Sequence, residues 1–309
     1  MDILCIGEPL IEFTSAPDAP SRFDRRAGGD TLNTAVYLAR LSAPGSVGYL
    51  SRLGDDAMSG FLRGTLAEEG ITDFCATEAG GRPGLSFITT DAEGERSFTY
   101  WRSQSPARRL FSSPDELRLL DRAETLVLSG VTLAMLLPEG RANLLQALQG
   151  RRDQGARIVL DTNYRPALWP DAATARDVIG RAARLATLIL PSLDDMAACF
   201  GASDADGGMR FLIGLTQAEI VLTTGGDAVL HRAAGAPSYD CWPLPPRHMA
   251  RDTTGAGDSF NAGWLAARHA GCGVGDAIAR AARLAAEVVA HPGAILPRDA
   301  MPAATPASA

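Results

Sequence analysis

The segment with the strongest chemical signature is Asp252-Thr253-Thr254-Gly255-Ala256-Gly257-Asp258-Ser259-Phe260, which runs into the apolar stretch Asn261-Ala262-Gly263-Trp264-Leu265-Ala266-Ala267. Small residues let successive backbone N–H groups converge on an anion, and the start of a helix adds partial positive charge there. Asp258 falls in the first turn, beside the place that anion occupies. A carboxylate so placed can take the proton from a hydroxyl that attacks a phosphoryl group. An isolated Gly-Ala-Gly-Asp reads equally well as a capped helix start. This one has a companion: Ala27-Gly28-Gly29-Asp30-Thr31-Leu32-Asn33-Thr34-Ala35 is another glycine turn entering a helix, with polar groups at its mouth. A third glycine-rich segment, Gly271-Cys272-Gly273-Val274-Gly275-Asp276, lacks G-x-G-x-x-G spacing and follows no strand. It reads as a turn between helices, not a dinucleotide site.

The remaining chain must supply elements that hold the two turns. Short apolar runs at 3–6, 47–50, 126–128, 158–160, 188–190, 220–223 and 228–231 read as strands. Amphipathic stretches at 31–41, 139–154, 172–184, 194–200 and 280–289 read as helices. Continuous apolar strands alternating with helices predict an α/β fold, a mostly parallel central sheet flanked by helices on both faces. Only Thr224-Gly225-Gly226-Asp227 separates the last two strands, so they form a hairpin and one edge is antiparallel. Two stretches break the rhythm. Residues 13–27 carry no helical pattern, and 85–101 alternate as a hairpin about Asp91-Ala92-Glu93-Gly94. They are expected to pair into a small β-sheet, a lid built from residues 12–27 and 82–103. The unpaired edge of such a sheet predicts a homo-oligomer formed through lid strands. The expectation is a single domain over 1–309, with 300–309, rich in Ala and Pro, as a flexible tail.

Composition removes several chemistries. Of the 309 residues, 29 are basic and 36 acidic, a formal charge of −7, and every basic residue other than histidine is arginine. Without lysine there is no Schiff-base aldolase, no pyridoxal-phosphate lysine, no Walker A motif and no protein-kinase ATP lysine. An acidic balance argues against a nucleic-acid partner. The longest uncharged stretch, 125–138, falls short of the ~20 apolar residues a membrane span needs. Asp2 stands where a signal peptide carries a base, so a cytoplasmic location is expected. Five scattered cysteines without a CxxC read as reduced thiols, and four histidines without ligand spacing argue against structural zinc.

Together, in this order and at this separation, the two glycine turns resemble the paired signatures of the PfkB (ribokinase-like) carbohydrate kinases. The likeness runs from Ile3 to about Pro302. It implies a ribokinase-like fold that phosphorylates a sugar with ATP and cradles the phosphates with backbone amides, which accounts for an ATP enzyme without lysine. Four stretches, 28–34, 94–102, 161–169 and 293–298, are similar to the branch acting on 2-keto-3-deoxygluconate, making its 6-phosphate. A sugar acid calls for a cation at its carboxylate, and arginine supplies a planar fork for paired hydrogen bonds.

The resemblance implies roles residue by residue. Gly29, Asp30 and Asn33 meet sugar hydroxyls, Tyr100 lines the same pocket, and Arg102 and Arg165 meet the carboxylate. Asn163 and Arg165 approach the nucleotide phosphates. Ser192, Thr224, Gly226, Gly255, Ala256 and Gly257 contact ATP, the last three as an anion hole, and Asp258 is the proton acceptor. Asp252 and Thr254 suit a K+ ion that orders the loop, as in some relatives, and Mg2+ accompanies ATP. Two departures stand out. Ser192-Leu193-Asp194-Asp195 replaces an Asn-x-x-Glu motif that organises Mg2+ through water, leaving Asp195 as an indirect metal carboxylate. Ser86 stands where relatives often place an aromatic ring, and Phe87 points to the opposite face by strand alternation. The rival readings are a fructokinase- or ribokinase-type enzyme and a non-catalytic sugar or nucleotide sensor. The intact Asp258 and Gly255–Gly257 speak against the sensor.

Overall fold

The computed structural model describes residues 1–16, 19–90, 96–246 and 250–303. Its central sheet has nine strands, in the order Asp240–Pro243, Ala228–Arg232, Glu219–Thr223, Leu188–Leu190, Arg157–Asp161, Thr125–Ser129, Ile3–Ile6, Val47–Leu50 and Thr72–Asp73. Pairing is parallel from Glu219–Thr223 to Thr72–Asp73 and antiparallel across the first two neighbours. The alternation of side chains explains the apolar runs. Leu4, Ile6, Leu126 and Leu128 face one core layer, while Ile3, Cys5 and Val127 face the other. A strand buried on both faces has no polar position to spend.

Helices Asp30–Leu41, Ala57–Glu68, Ala256–His269 and Val274–Val289 contribute to one layer. Helices Pro138–Asp153, Ala172–Leu185, Leu193–Phe200 and Ala205–Leu215 contribute to the other. All seven expected strands are present, and the expected antiparallel edge is the hairpin of Glu219–Thr223 with Ala228–Arg232. The helix expected over 280–289 begins earlier, at Val274, because Ala277 and Ile278 are also buried. Only Gly271–Gly273 of the third glycine segment therefore lies outside the helices.

The small sheet has the order Ala19–Gly28, Leu10–Ala16, Gly84–Thr90 and Arg96–Trp101. Its central pair is parallel and its flanking pairs antiparallel. Two segments far apart in the chain thus combine, as their patterns predict. The turn expected at Asp91–Gly94 lies outside the described residues, as do residues 304–309 of the expected tail. Ala300 and Met301 pack against the core. No helix among the described residues is long and apolar enough to cross a membrane.

Candidate active site

Strand order reverses at Ile3–Ile6, which has Val47–Leu50 on one side and Thr125–Ser129 on the other. In an open α/β sheet, the crevice beyond the carboxyl ends of the strands at such a point is where ligands bind. Glu8 lies just past Ile3–Ile6, Asp161 ends Arg157–Asp161, and Ser192 follows Leu188–Leu190. Both glycine turns open here. Gly29 precedes helix Asp30–Leu41 with φ 116, and a Cβ at that position would come within 2.5 Å of the Glu8 carbonyl oxygen. Gly255 precedes Ala256–His269 with φ 77, where a Cβ would meet the Ala294 carbonyl oxygen at 2.7 Å. Only glycine fits either position. At Gly257, in the first turn of the helix, a Cβ would meet nothing within 4 Å, so space is open beside that turn.

The two turns join through side chains. Asn33 Nδ2 donates to Asp258 Oδ2 at 2.8 Å, and Thr34 Oγ1 donates to the Asp258 carbonyl at 3.3 Å. Asp30 Oδ1 accepts from the Thr31 amide at 2.8 Å, and its Oδ2 accepts from Asn163 Nδ2 at 2.7 Å. Asn163 sits at φ 23, a strained setting for a residue with a Cβ. Asp252 ties the glycine loop down, accepting from the amides of Thr254 at 2.9 Å and Gly293 at 2.6 Å.

Carboxylates crowd this region. Burial and the neighbouring Asp30 anion push Asp258 up to about 7, against the opposing effects of the Asn33 hydrogen bond and the Arg165 charge. Burial and the charges of Asp195, Asp258 and Asp30 hold Asp161 well above the ordinary carboxylate range. Glu12 rises to about 7, through burial first and Asp252 second. Arg165 lies 3.8 Å from Asp195 Oδ1 and remains 60% exposed. It opposes the rise at Asp161, Asp195 and Asp258 alike.

Arg102 differs from an exposed hairpin end. Its Nε donates to Glu8 Oε2 at 2.7 Å and its Nη2 donates to the same oxygen. The pair is buried, with the Glu8 side chain 1% and that of Arg102 11% exposed. Tyr100 packs on Phe98 with ring centroids 6.3 Å apart, and the Arg102 guanidinium lies 5.7 Å from its ring centre. Register places Glu12, Ser86 and Tyr100 across from one another on one face of the small sheet. Phe87 lies on the other face, stacked on Phe13 at 5.2 Å, as alternation requires.

The residues expected to contact ATP lie along the rim toward the antiparallel edge. Ser192 Oγ accepts from the Asp195 amide at 3.0 Å and so caps its helix. Thr224 Oγ1 closes its turn on Ala228, and Gly226 adopts φ 102. The Asp195 oxygens both accept within the protein, from Thr162 Oγ1 at 2.9 Å and the Tyr164 amide at 3.0 Å. Among the described residues no group of three or more His, Cys, Asp or Glu could hold a metal ion. These residues do not fit a protein-built metal cage.

Sequence reasoning missed Glu8, Glu12, Asp161 and Asn261. Asn261 Nδ2 donates to Asp161 Oδ2 at 3.0 Å, and the Asn163 amide donates to Asp161 Oδ1 at 3.1 Å. The one available signal was a lone charge directly after an apolar strand, as at Glu8 and Asp161.

Transfer of a phosphoryl group to a hydroxyl needs an anion cradle and a nearby proton acceptor. The first turn of Ala256–His269, entered through Gly255, presents backbone amides and the Asp258 carboxyl side by side, the groups a small-molecule kinase of this fold would use. The chain belongs to the pfkB family of carbohydrate kinases, whose family model matches residues 1–301. It is 36% identical to a 2-dehydro-3-deoxygluconokinase of Dickeya dadantii, over 98% of this chain and 99% of that one. It is 34% identical to the enzyme of that name from Escherichia coli, over 97% and 99%. Among solved structures, a fructokinase with bound ATP from Xylella fastidiosa is 26% identical. It superposes with a TM-score of 0.79 over 97% of this chain and 95% of that one. The fold is ribokinase-like, as the sequence resemblance implied.

Proposed function

We propose that this kinase transfers the γ-phosphoryl group of ATP to the terminal hydroxyl of 2-keto-3-deoxygluconate, giving the 6-phosphate. The observation that carries the reading is Asp258 in the first turn of its helix, held by Asn33 and raised to about 7. The likeness to two 2-dehydro-3-deoxygluconokinases supports the substrate. Asp258 accepts the proton of the attacking hydroxyl, and the amides of Gly255, Ala256 and Gly257 stabilise charge on the moving phosphoryl group. Gly29, Asp30, Asn33 and Tyr100 orient the sugar, and Arg102 meets the carboxylate. Arg165, beside Asp195 at the carboxyl ends of the strands, and Asn163 lie toward the phosphates; Ser192, Thr224 and Gly226 follow the nucleotide along the rim. Mg2+ held by the ATP phosphates would supply charge screening there, with Asp195 the carboxylate on offer. A neutral sugar is the second reading, favoured by one observation: Glu8 already balances Arg102. A coupled assay of ADP formation across sugar acids and matching neutral sugars separates the two. Faster turnover of the neutral set would overturn the acid assignment.

The small sheet is proposed to close over bound sugar and keep water from the phosphoryl group. Hydrogen exchange in the segments 12–27 and 82–103 is expected to slow when sugar binds. Protection confined to Gly255–Asp258 would refute closure. The sheet also carries exposed aromatics, Phe23, Phe98, Tyr100 and Trp101, the last 64% exposed. A second copy of the chain is the proposed cover. Light scattering is expected to show a dimer, and a monomer at assay concentration would remove that proposal.

A further inference from the structure

Four hydrogen bonds form a closed path around the site. Asn33 holds Asp258, and Asp30, on the same helix as Asn33, holds Asn163. The Asn163 amide reaches Asp161, and Asn261 reaches the other oxygen of Asp161. Asn261 lies in Ala256–His269, three residues beyond Asp258, so the path ends on the helix where it began. Residues three apart share one face of a helix.

The anchoring is unequal around this path. Asp161 terminates a strand paired on both sides, opposite Ser129 and Leu190. Asn261 is 6% exposed and fixed on its helix. The first turn of that helix has open space beside Gly257, and the loop before it is held by Asp252 through the Thr254 and Gly293 amides. The Asn261–Asp161 bond ties the roll of this helix to the strand end, and roll decides where Asp258 points. A small error is expensive, since about 1 Å of misplacement can cost ~10²-fold in rate.

We propose that Asp161 and Asn261 form a positioning clamp that locks the catalytic helix to the end of the central sheet and thereby aims Asp258. This deepens the function proposed above and rests on Asp258 being the base. Neither clamp residue exchanges a proton with substrate. Asp161 is an acceptor for two N–H groups, and Asn261 supplies one of them.

A swap of the two side chains tests the clamp. Asp161→Asn presents one donor too many to Asn163 and Asn261, while Asn261→Asp sets a second carboxylate against Asp161. Each single change is expected to lower kcat by about 10²-fold while KM for ATP and for sugar stays nearly unchanged. The combined Asp161→Asn, Asn261→Asp variant restores one donor facing one acceptor, with the total charge of the wild type. It is expected to recover most of the lost kcat. A double variant as slow as the slower single would overturn the clamp, showing that Asp161 acts through its own charge at the strand end. Asn261→Ala, which adds no charge, is the companion for folding, with binding of a non-hydrolysable ATP analogue measured by calorimetry. Wild-type kcat in a folded Asn261→Ala would equally overturn it. An Asp258→Asn control separates the two readings. If that control stays active, the assignment of the base falls. If it is dead while the swap fails to rescue, only the clamp falls.

Discussion

Asp258→Asn is expected to abolish turnover while ATP affinity stays close to that of the wild type. The amide keeps the shape of the carboxylate but cannot accept the hydroxyl proton. General-base catalysis contributes about 10²–10⁴-fold, so a kcat within about tenfold of wild type would place the base elsewhere. Asparagine can still meet Asn33 through its Oδ1, so the link to helix Asp30–Leu41 survives and a folding defect does not explain a dead variant. The pH profile follows from the same group. The reactive form is the carboxylate, so activity is lost as pH falls through the Asp258 value. An ordinary aspartate near ~3.9 would leave kcat/KM flat down to weakly acidic solution. Burial and Asp30 raise Asp258 to about 7, so kcat/KM should decline below neutrality. A profile flat well below neutrality would show that Asp258 is not the titrating base.

Arg102→Ala is expected to separate acid from neutral substrates. Loss of a hydrogen bond to a charged group costs about 1.5–3 kcal/mol, roughly 10- to 150-fold in kcat/KM on the sugar acid. Activity on a neutral analogue, already poor, should change little. The buried partner complicates the measurement. Glu8, 1% exposed, loses its counter-ion, and breaking a buried pair destabilises a fold by about 3–5 kcal/mol. The informative quantity is therefore the ratio of the two activity losses, measured well below the melting temperature. Arg102→Lys should restore the charge but only part of the discrimination, because a point charge replaces the planar fork that holds Glu8 and is proposed to reach the substrate. Equal losses on both substrates would make Arg102 structural, a partner of Glu8 alone.

The strands were legible where physics acts locally. Residues 3–6 and 126–128 are buried on both faces, so burial wrote an uninterrupted apolar run. Asp240–Pro243 was illegible because an exposed edge strand needs no such run. Gly130–Met135 was missed for the opposite reason: it is buried all round and shows no amphipathic period. The two glycine turns could be read because backbone geometry and helix-end charge depend on a few adjacent residues.

The amino-acid sequence by itself determined the layered α/β architecture, the two turns and the identity of Asp258 as the candidate base. Tertiary structure alone decided which charges meet. Arg102 and Glu8 stand 94 residues apart, and Asn261 and Asp161 stand 100 apart. A polar side chain carries no record of its partner, because a hydrogen bond is selected by which strand ends and helix starts converge. Apolar burial repeats along an element and leaves a period, whereas a single long-range pairing occurs once and leaves none.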